Sequence, residues 1–240
     1  MTVLIACSHG TSDPAGQAAI RSLVDQVREL LPSVRVEEAF VDVQQPDLER
    51  VLAEVCGEPA AGDCAQDLRT RAVVVPLLLS TGYHTKVDIA RAVGAHAGVA
   101  QGEPLGAHPL VARLVTDRLI AAVPGGFEPT DRVVLAAAGS SNPAAVRDVA
   151  AVAAGVGQAI PVPVTVGYAS ASEPRIADAV AAARADGASR VIVARYVLAP
   201  GFFAELVAAS GGDIVSAPLA PDPTLARVVA DHYAAALAAP

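Results

Sequence analysis

The hexapeptide Gly10-Thr11-Ser12-Asp13-Pro14-Ala15 returns later in the chain as Gly139-Ser140-Ser141-Asn142-Pro143-Ala144. Three further stretches return in the same order. Ala39-Phe40-Val41 with Pro46 matches Gly167-Tyr168-Ala169 with Pro174, and Leu79-Ser80-Thr81-Gly82-Tyr83 matches Leu198-Ala199-Pro200-Gly201-Phe202. Pro104-Leu105 and Pro109 match Pro218-Leu219 and Pro223. A chain that repeats its turn and helix-start signals in one order builds one unit twice, with drift confined to loops. The expected organisation is a first domain over 1–124 and a second over 125–240, joined near Pro124-Gly125-Gly126.

The repeated unit reads as alternating strands and helices. Val3 to Cys7 is a short apolar strand, and Asp13-Pro14 is a helix start, with a capping carboxylate before a residue suited to the first turn. Ile20, Leu23, Val24, Val27, Leu30 and Leu31 follow at helical spacing until Pro32. A second strand is expected over Val34 to Val43, and a helix opened by Pro46 carries Leu48, Val51, Leu52 and Val55. Cys56 to Thr70 reads as loop. Ala72 to Leu79 is a continuous apolar run, the mark of a strand buried on both faces. A helix bearing Val87 and Ile89, a weaker strand near Val99 and a helix from Pro109 complete the half. The order βαβαβαβα predicts the α/β class: two tandem similar domains, each a parallel sheet flanked by helices.

Of the 240 residues, 53% are hydrophobic and only 3% aromatic, so the core is built from Ala, Val and Leu. A net charge of −8 argues against nucleic acid or a membrane surface as partner, and any anionic ligand would need a local basic pocket. No run reaches the roughly 20 apolar residues of a spanning helix. Cys7, Cys56 and Cys64 form no C-x-x-C pair and fit a reducing compartment. Met1 to Ile5 lacks the basic start of a signal peptide. The expectation is a soluble, cytoplasmic protein.

The repeat also acts as an internal control. His9 aligns with Ala138, Asp42 with Ser170 and His84 with Phe203, so the scaffold is duplicated while these three polar groups occur once. All three follow the carboxyl ends of strands, where open α/β sheets bind ligands. Neutral imidazoles suit Co, Ni, Fe(II) and Zn, and a nearby carboxylate binds metal or takes protons. Few protein ligands leave coordination positions open, as catalytic sites do. The remaining histidines have weaker claims. His108 precedes Pro109 and reads as a helix cap, His232 lies late in the last helix, and His96 sits in an Ala/Gly loop. Cys7 reads as a small buried residue. No nucleophile elbow, G-x-G-x-x-G or P-loop is present, so neither a hydrolase nor a nucleotide cofactor is supported.

Ser8-His9-Gly10-Thr11-Ser12-Asp13-Pro14, Phe40-Val41-Asp42 and Gly82-Tyr83-His84 with Asp88-Ile89 together resemble the sirohydrochlorin chelatases. These class II tetrapyrrole chelatases are lyases that insert cobalt or ferrous iron for cobalamin or siroheme biosynthesis. The resemblance covers nearly the whole chain and fits the long bacterial form with two fused halves. It implies that His9 and His84 handle the metal and that Asp42 is the acidic third member, shorter than the glutamate expected there. Co²⁺ or Fe²⁺ would be substrate, with no tightly bound cofactor. Insertion removes two pyrrole protons, and an imidazole with an ordinary pKa of about 6.5 can hold metal or accept a proton. The macrocycle needs a flat apolar cleft, expected between the halves. Ser8, Thr11, Ser12, Ser80 and Thr81 are candidate donors to its carboxylates, with Ser140 and Ser141 from the second half. Lys86 and Arg195 are candidate cationic partners. A fused pair could complete its cleft as a monomer. The competing reading is a non-catalytic carrier of metal or tetrapyrrole on the same fold.

Overall fold

The computed structural model describes residues 2–57, 70–80 and 83–239, with backbone alone for 83–86 and 107. The expected loop from Cys56 to Thr70 therefore falls largely outside the described residues, as do Thr81 and Gly82.

The first half runs β1 (Val3–Ser8), α1 (Pro14–Leu30), β2 (Val36–Phe40), α2 (Leu48–Cys56), β3 (Ala72–Pro76), α3 (Tyr83–Gly94), β4 (Val99–Gln101) and α4 (Pro109–Ala122). The second half repeats it as β5 (Asp131–Ala137), α5 (Pro143–Ala159), β6 (Val164–Tyr168), α6 (Ile176–Ala185), β7 (Arg190–Tyr196), α7 (Phe202–Ala208), β8 (Ile214–Val215) and α8 (Pro223–Ala238). Each half forms a four-stranded, all-parallel sheet, ordered β2-β1-β3-β4 and β6-β5-β7-β8. The order reverses direction between β1 and β3, and again between β5 and β7. Those are the switch points at which a crevice opens beyond the strand ends.

The helices that meet between the halves share one start. Asp13, His108, Asn142 and Asp222 cap α1, α4, α5 and α8, each followed by a proline in the first turn. The side chains of Asp13 and Asn142 accept the N–H of Gly16 and Ala144 at 2.7 and 3.0 Å. This pairing supplies an orphan amide with a partner and presets the backbone for helix.

Three expected boundaries move inward. The strand expected from Ala72 to Leu79 ends at Pro76. The second strand ends at Phe40 rather than Val43, because Asp42 to Gln44 form a tight turn in which Gln44 N–H reaches the Asp42 carbonyl at 2.6 Å. The next helix starts at Leu48, not Pro46. The Pro46 carbonyl accepts Phe40 N–H at 3.0 Å, and Asp47 is the cap, accepting Arg50 N–H at 2.8 Å.

The largest core lies between the halves. Leu4, Ala6, Val73 and Val75 on one sheet and Leu135, Ile192, Ala194 and Tyr196 on the other belong to a single buried cluster with α1, α4, α5 and α8. The packing is exchanged: α8 lies against α1 and β3, and α4 lies against α5 and β7. Each half thus lends its last helix to the other. Smaller clusters on the outer faces seat α2 and α3 on the first sheet and α6 and α7 on the second. Burying apolar area at roughly 25 cal/mol per Å² makes this shared core the main bond between the repeats.

Candidate functional site

The carboxyl ends of β1, β3, β5 and β7 open into one cleft of about 480 Å³. Ser8, His9, Gly10, Thr11 and Ser12 line it from the loop after β1, and Leu77 to Ser80 from the loop after β3. Ala137 to Gly139 and Tyr196 to Phe203 form the facing wall. A second groove of about 560 Å³ lies between α4 and α5, walled by Ala112, Ala151 and Gly155. It shares no lining residue with the strand-end cleft, and its histidine, His108, is already a helix cap. The chemistry belongs to the strand-end cleft.

Strand alternation decides what faces the cleft. Leu4 and Ala6 point to the core between the halves, whereas Val3, Ile5 and Cys7 point outward. Ser8 follows the inward set and ends the strand in the cleft. Its Oγ is buried with no hydrogen-bond partner among the described residues, a donor left for whatever occupies the space. Cys7 points the other way, and burial pushes its thiol up to about 12, so it is inert packing. His9 comes next and is exposed to the cleft. Its backbone is fixed by Asp42 N–H donating to the His9 carbonyl at 3.0 Å, while its ring has no partner among the described residues.

The turn beyond His9 is tied down from three sides. Thr11 N–H donates to Gln44 Oε1 at 2.9 Å, Asp13 N–H donates to Thr11 Oγ1 at 3.1 Å, and Gln17 Nε2 donates to the Thr11 carbonyl at 2.8 Å. The Thr11 hydroxyl still has its proton to offer. Gly10 has φ 91°, and a Cβ there would run into the Asp42 carbonyl, so only glycine fits. Gly139 has φ 90° and meets the Ser170 carbonyl in the same way. The alignment of His9 with Ala138 and of Asp42 with Ser170 is thus reproduced in the backbone.

The structure brings Ser8, His9, Thr11, Ser12 and Ser80 together in the cleft. Asp42 is not among its lining residues: it is exposed, and its Oδ1 accepts Val43 N–H at 2.7 Å. His84 belongs to the first turn of α3, and its side chain lies outside the described residues, as does that of Lys86. The two second-half serines do not line the cleft. The Ser140 Oγ accepts Asn142 N–H at 3.1 Å as part of the α5 start.

One further expectation is corrected. Arg195 shares a β7 face with Val191 and Val193, which pack outward, opposite Tyr196 and the cleft. Burial of its guanidinium lowers its pKa, and its Nε has no partner among the described residues. Among the described residues no Lys or Arg lines the cleft; the other cationic candidate, Lys86, has its side chain outside them. His232, late in α8, contacts the first half. It is half-buried, with Nδ1 2.7 Å from the Glu103 carbonyl, and burial pulls its pKa below the usual histidine value. His108 caps α4 as read, accepting Leu110 N–H on Nδ1 at 3.2 Å.

Residues that the sequence reading did not assign to the site complete the walls. Tyr196 reaches across the halves, its hydroxyl 3.1 Å from both the Leu79 and Gly106 carbonyls, and burial raises its phenol well above the ordinary range. Val43, Phe202 and Phe203 stand at the mouth. The two adjacent phenylalanines after Gly201, in a chain with four in all, were the available signal. No group of three or more His, Cys, Asp or Glu able to hold a metal occurs among the described residues. No helix among them is long and apolar enough to cross a membrane.

Two parallel sheets that share helices and one strand-end cleft define a duplicated α/β ligand-binding protein of the chelatase-like fold. The CbiX family model matches residues 3–122 and again 132–236. The chain belongs to the CbiX family. It is 27% identical over 206 residues to a sirohydrochlorin ferrochelatase of Priestia megaterium, covering 83% of this chain and 73% of that one. It is 24% identical over 145 residues to a sirohydrochlorin cobaltochelatase of Methanopyrus kandleri, covering 50% of this chain and 95% of that one. Among solved structures, SirB from Bacillus subtilis with Fe³⁺ superposes with a TM-score of 0.77 at 22% identity, covering 99% of this chain and 96% of that one.

Proposed function

We propose that this chain is a sirohydrochlorin chelatase that inserts Co²⁺ or Fe²⁺ into the free-base macrocycle, as the names of its CbiX relatives support. The observation that carries the reading is the cleft itself. It is largely apolar, has hydroxyls along one edge, and places the unpartnered His9 ring as its one imidazole among the described residues. A flat apolar ring with anionic edges fits such a space.

In this reading the macrocycle enters with one face toward His9 and with peripheral carboxylates toward Ser8, Thr11, Ser12 and Ser80. Thr81, whose placement lies outside the described residues, belongs to the same donor set by sequence. Charge-assisted hydrogen bonds from these hydroxyls hold the carboxylates. The incoming M²⁺ displaces two pyrrole protons, so the products are the metallated ring and two H⁺. His9 and His84 present the metal and accept the first proton. Asp42, exposed beside the cleft, passes protons to solvent. The metal is substrate throughout and leaves with the ring.

The test is anaerobic absorbance of sirohydrochlorin with Co²⁺ and Fe²⁺ in separate runs, comparing wild type with His9→Ala and His84→Ala. Insertion above the uncatalysed rate, lost in both variants with pigment binding kept, is the expected result. Activity surviving both substitutions overturns the site. Pigment binding with no acceleration for either metal makes the protein a carrier.

A further inference from the structure

Asp42 to Gln44 form a three-residue turn in which Gln44 N–H donates to the Asp42 carbonyl at 2.6 Å and the central Val43 has φ 63°. This is the strained form of the γ-turn, and a β-branched residue is the worst suited to it. Its side chain is 57% exposed and lines the cleft. The matching turn of the second half, Ser170 to Ser172, has the same 2.6 Å hydrogen bond and puts Ala171 at φ 55°. Ala171 does not line the cleft. One turn therefore holds a strained valine at the cleft mouth, and its twin holds a small residue away from it.

Across the mouth, the first turn of α7 carries Phe202 and Phe203, 69% and 38% exposed. Their rings meet edge to face, with centroids 5.4 Å apart and planes at 69°. Exposed aromatic rings at a cleft edge cost solubility and gain nothing for the fold, so a ligand is their physical rationale. In a chain so poor in aromatics, two adjacent rings in that position mark a surface for a planar partner.

We propose that Val43 from the first half and Phe202 and Phe203 from the second form an apolar clamp on the macrocycle, setting its depth and tilt relative to His9. The clamp rests on the chelatase reading and goes beyond it by naming the positioning residues. The three side chains touch the ring's faces and make no bond to metal or proton. Both walls contribute, so the clamp exists only where the two halves meet.

Fluorescence titration with metal-free sirohydrochlorin and steady-state insertion kinetics test the clamp, using wild type, Val43→Gly, Phe202→Ala/Phe203→Ala and the control Ala171→Gly. The double phenylalanine variant is expected to bind about tenfold or more weakly, from the apolar contact removed. Its KM should rise in proportion while kcat at saturation falls less than about threefold. Val43→Gly should weaken binding yet raise the thermal midpoint, because glycine relieves the turn. Ala171→Gly should raise the midpoint with affinity unchanged. Weaker binding together with a raised midpoint rules out loss of folding as the cause of the lost affinity. Wild-type binding with both cleft variants within twofold of it overturns the clamp alone. Wild type that neither binds nor metallates sirohydrochlorin overturns the chelatase reading and the clamp together.

Discussion

Replacing Tyr196 by Phe removes one oxygen from the seam between the halves. The Tyr196 hydroxyl sits 3.1 Å from the Leu79 carbonyl, in the loop after β3, and 3.1 Å from the Gly106 carbonyl, in the 3-10 turn Leu105–Ala107. Gly106 is glycine because a Cβ would collide with the Leu79 carbonyl and crowd the Tyr196 oxygen. Burial raises the phenol's pKa well above the ordinary range, so it is a hydrogen-bond donor at neutral pH. The ring of Tyr196→Phe can keep its place in the shared core, so no large cavity opens. The net value of one neutral hydrogen bond is about 1 kcal/mol, and leaving carbonyls short of a donor adds to it, for a loss of about 2 kcal/mol. In a chain of this size that lowers the thermal midpoint by roughly 4–8 °C. Urea denaturation of Tyr196→Phe measures it directly. Tyr233→Phe, which loses a 3.0 Å bond to the Thr2 carbonyl nearer the surface, is the control. A loss below about 0.5 kcal/mol for Tyr196→Phe would refute the view that this hydroxyl clasps the two halves.

Gly10→Ala and Gly139→Ala each force a Cβ onto a carbonyl at positive φ and should each cost about 2 kcal/mol or more; unequal costs by urea melts would break the equivalence of the two turns. The Asp131 carboxylate is gripped by Arg190 at two points, Nε to Oδ1 at 3.0 Å and Nη2 to Oδ2 at 2.6 Å, and that hydrogen bonding holds its pKa below the usual carboxylate range. The folded value lies below the unfolded one, so this contribution is full above about pH 4 and disappears as pH falls through the lowered folded value. Wild-type stability should therefore decline on acidification more steeply than that of Asp131→Asn; parallel declines would show that the pair is not the titrating element.

Much of this arrangement was legible because its signals are local. Asp13-Pro14 and Asn142-Pro143 name their helix starts, the run from Ala72 onward names a buried strand, and the paired glycines name the turns. The repeat supplied His9 as a residue that the scaffold does without at Ala138. What was missed depends on contacts far apart in sequence. Nothing local says that α4 and α8 cross to the opposite sheets, that Arg195 points outward, or that Tyr196 reaches Leu79. The start of α2 slipped from Pro46 to Leu48 because a strand amide, Phe40 N–H, claims the Pro46 carbonyl. Phe202 and Phe203 served as alignment markers, since exposure cannot be read from a short apolar pair. Val43 looked like the end of a strand because left-handed backbone at a β-branched residue is the choice that propensity argues against most strongly.

The twin turns at Gly10 and Gly139 have a consequence for how an asymmetric guest is oriented. Their peptide frames are nearly interchangeable, down to the amide donations from Asp42 to His9 and from Ser170 to Ala138, at 3.0 and 2.9 Å. Backbone alone therefore offers a visitor two almost degenerate ways to sit, one against each wall. The decoration breaks that degeneracy: imidazole against methyl on one pair of seats, valine against methyl on the next, and the Ser8 hydroxyl against Ala137. A histidine grafted at position 138 would inherit a ready-made seat, turning a one-handed host into an ambidextrous one.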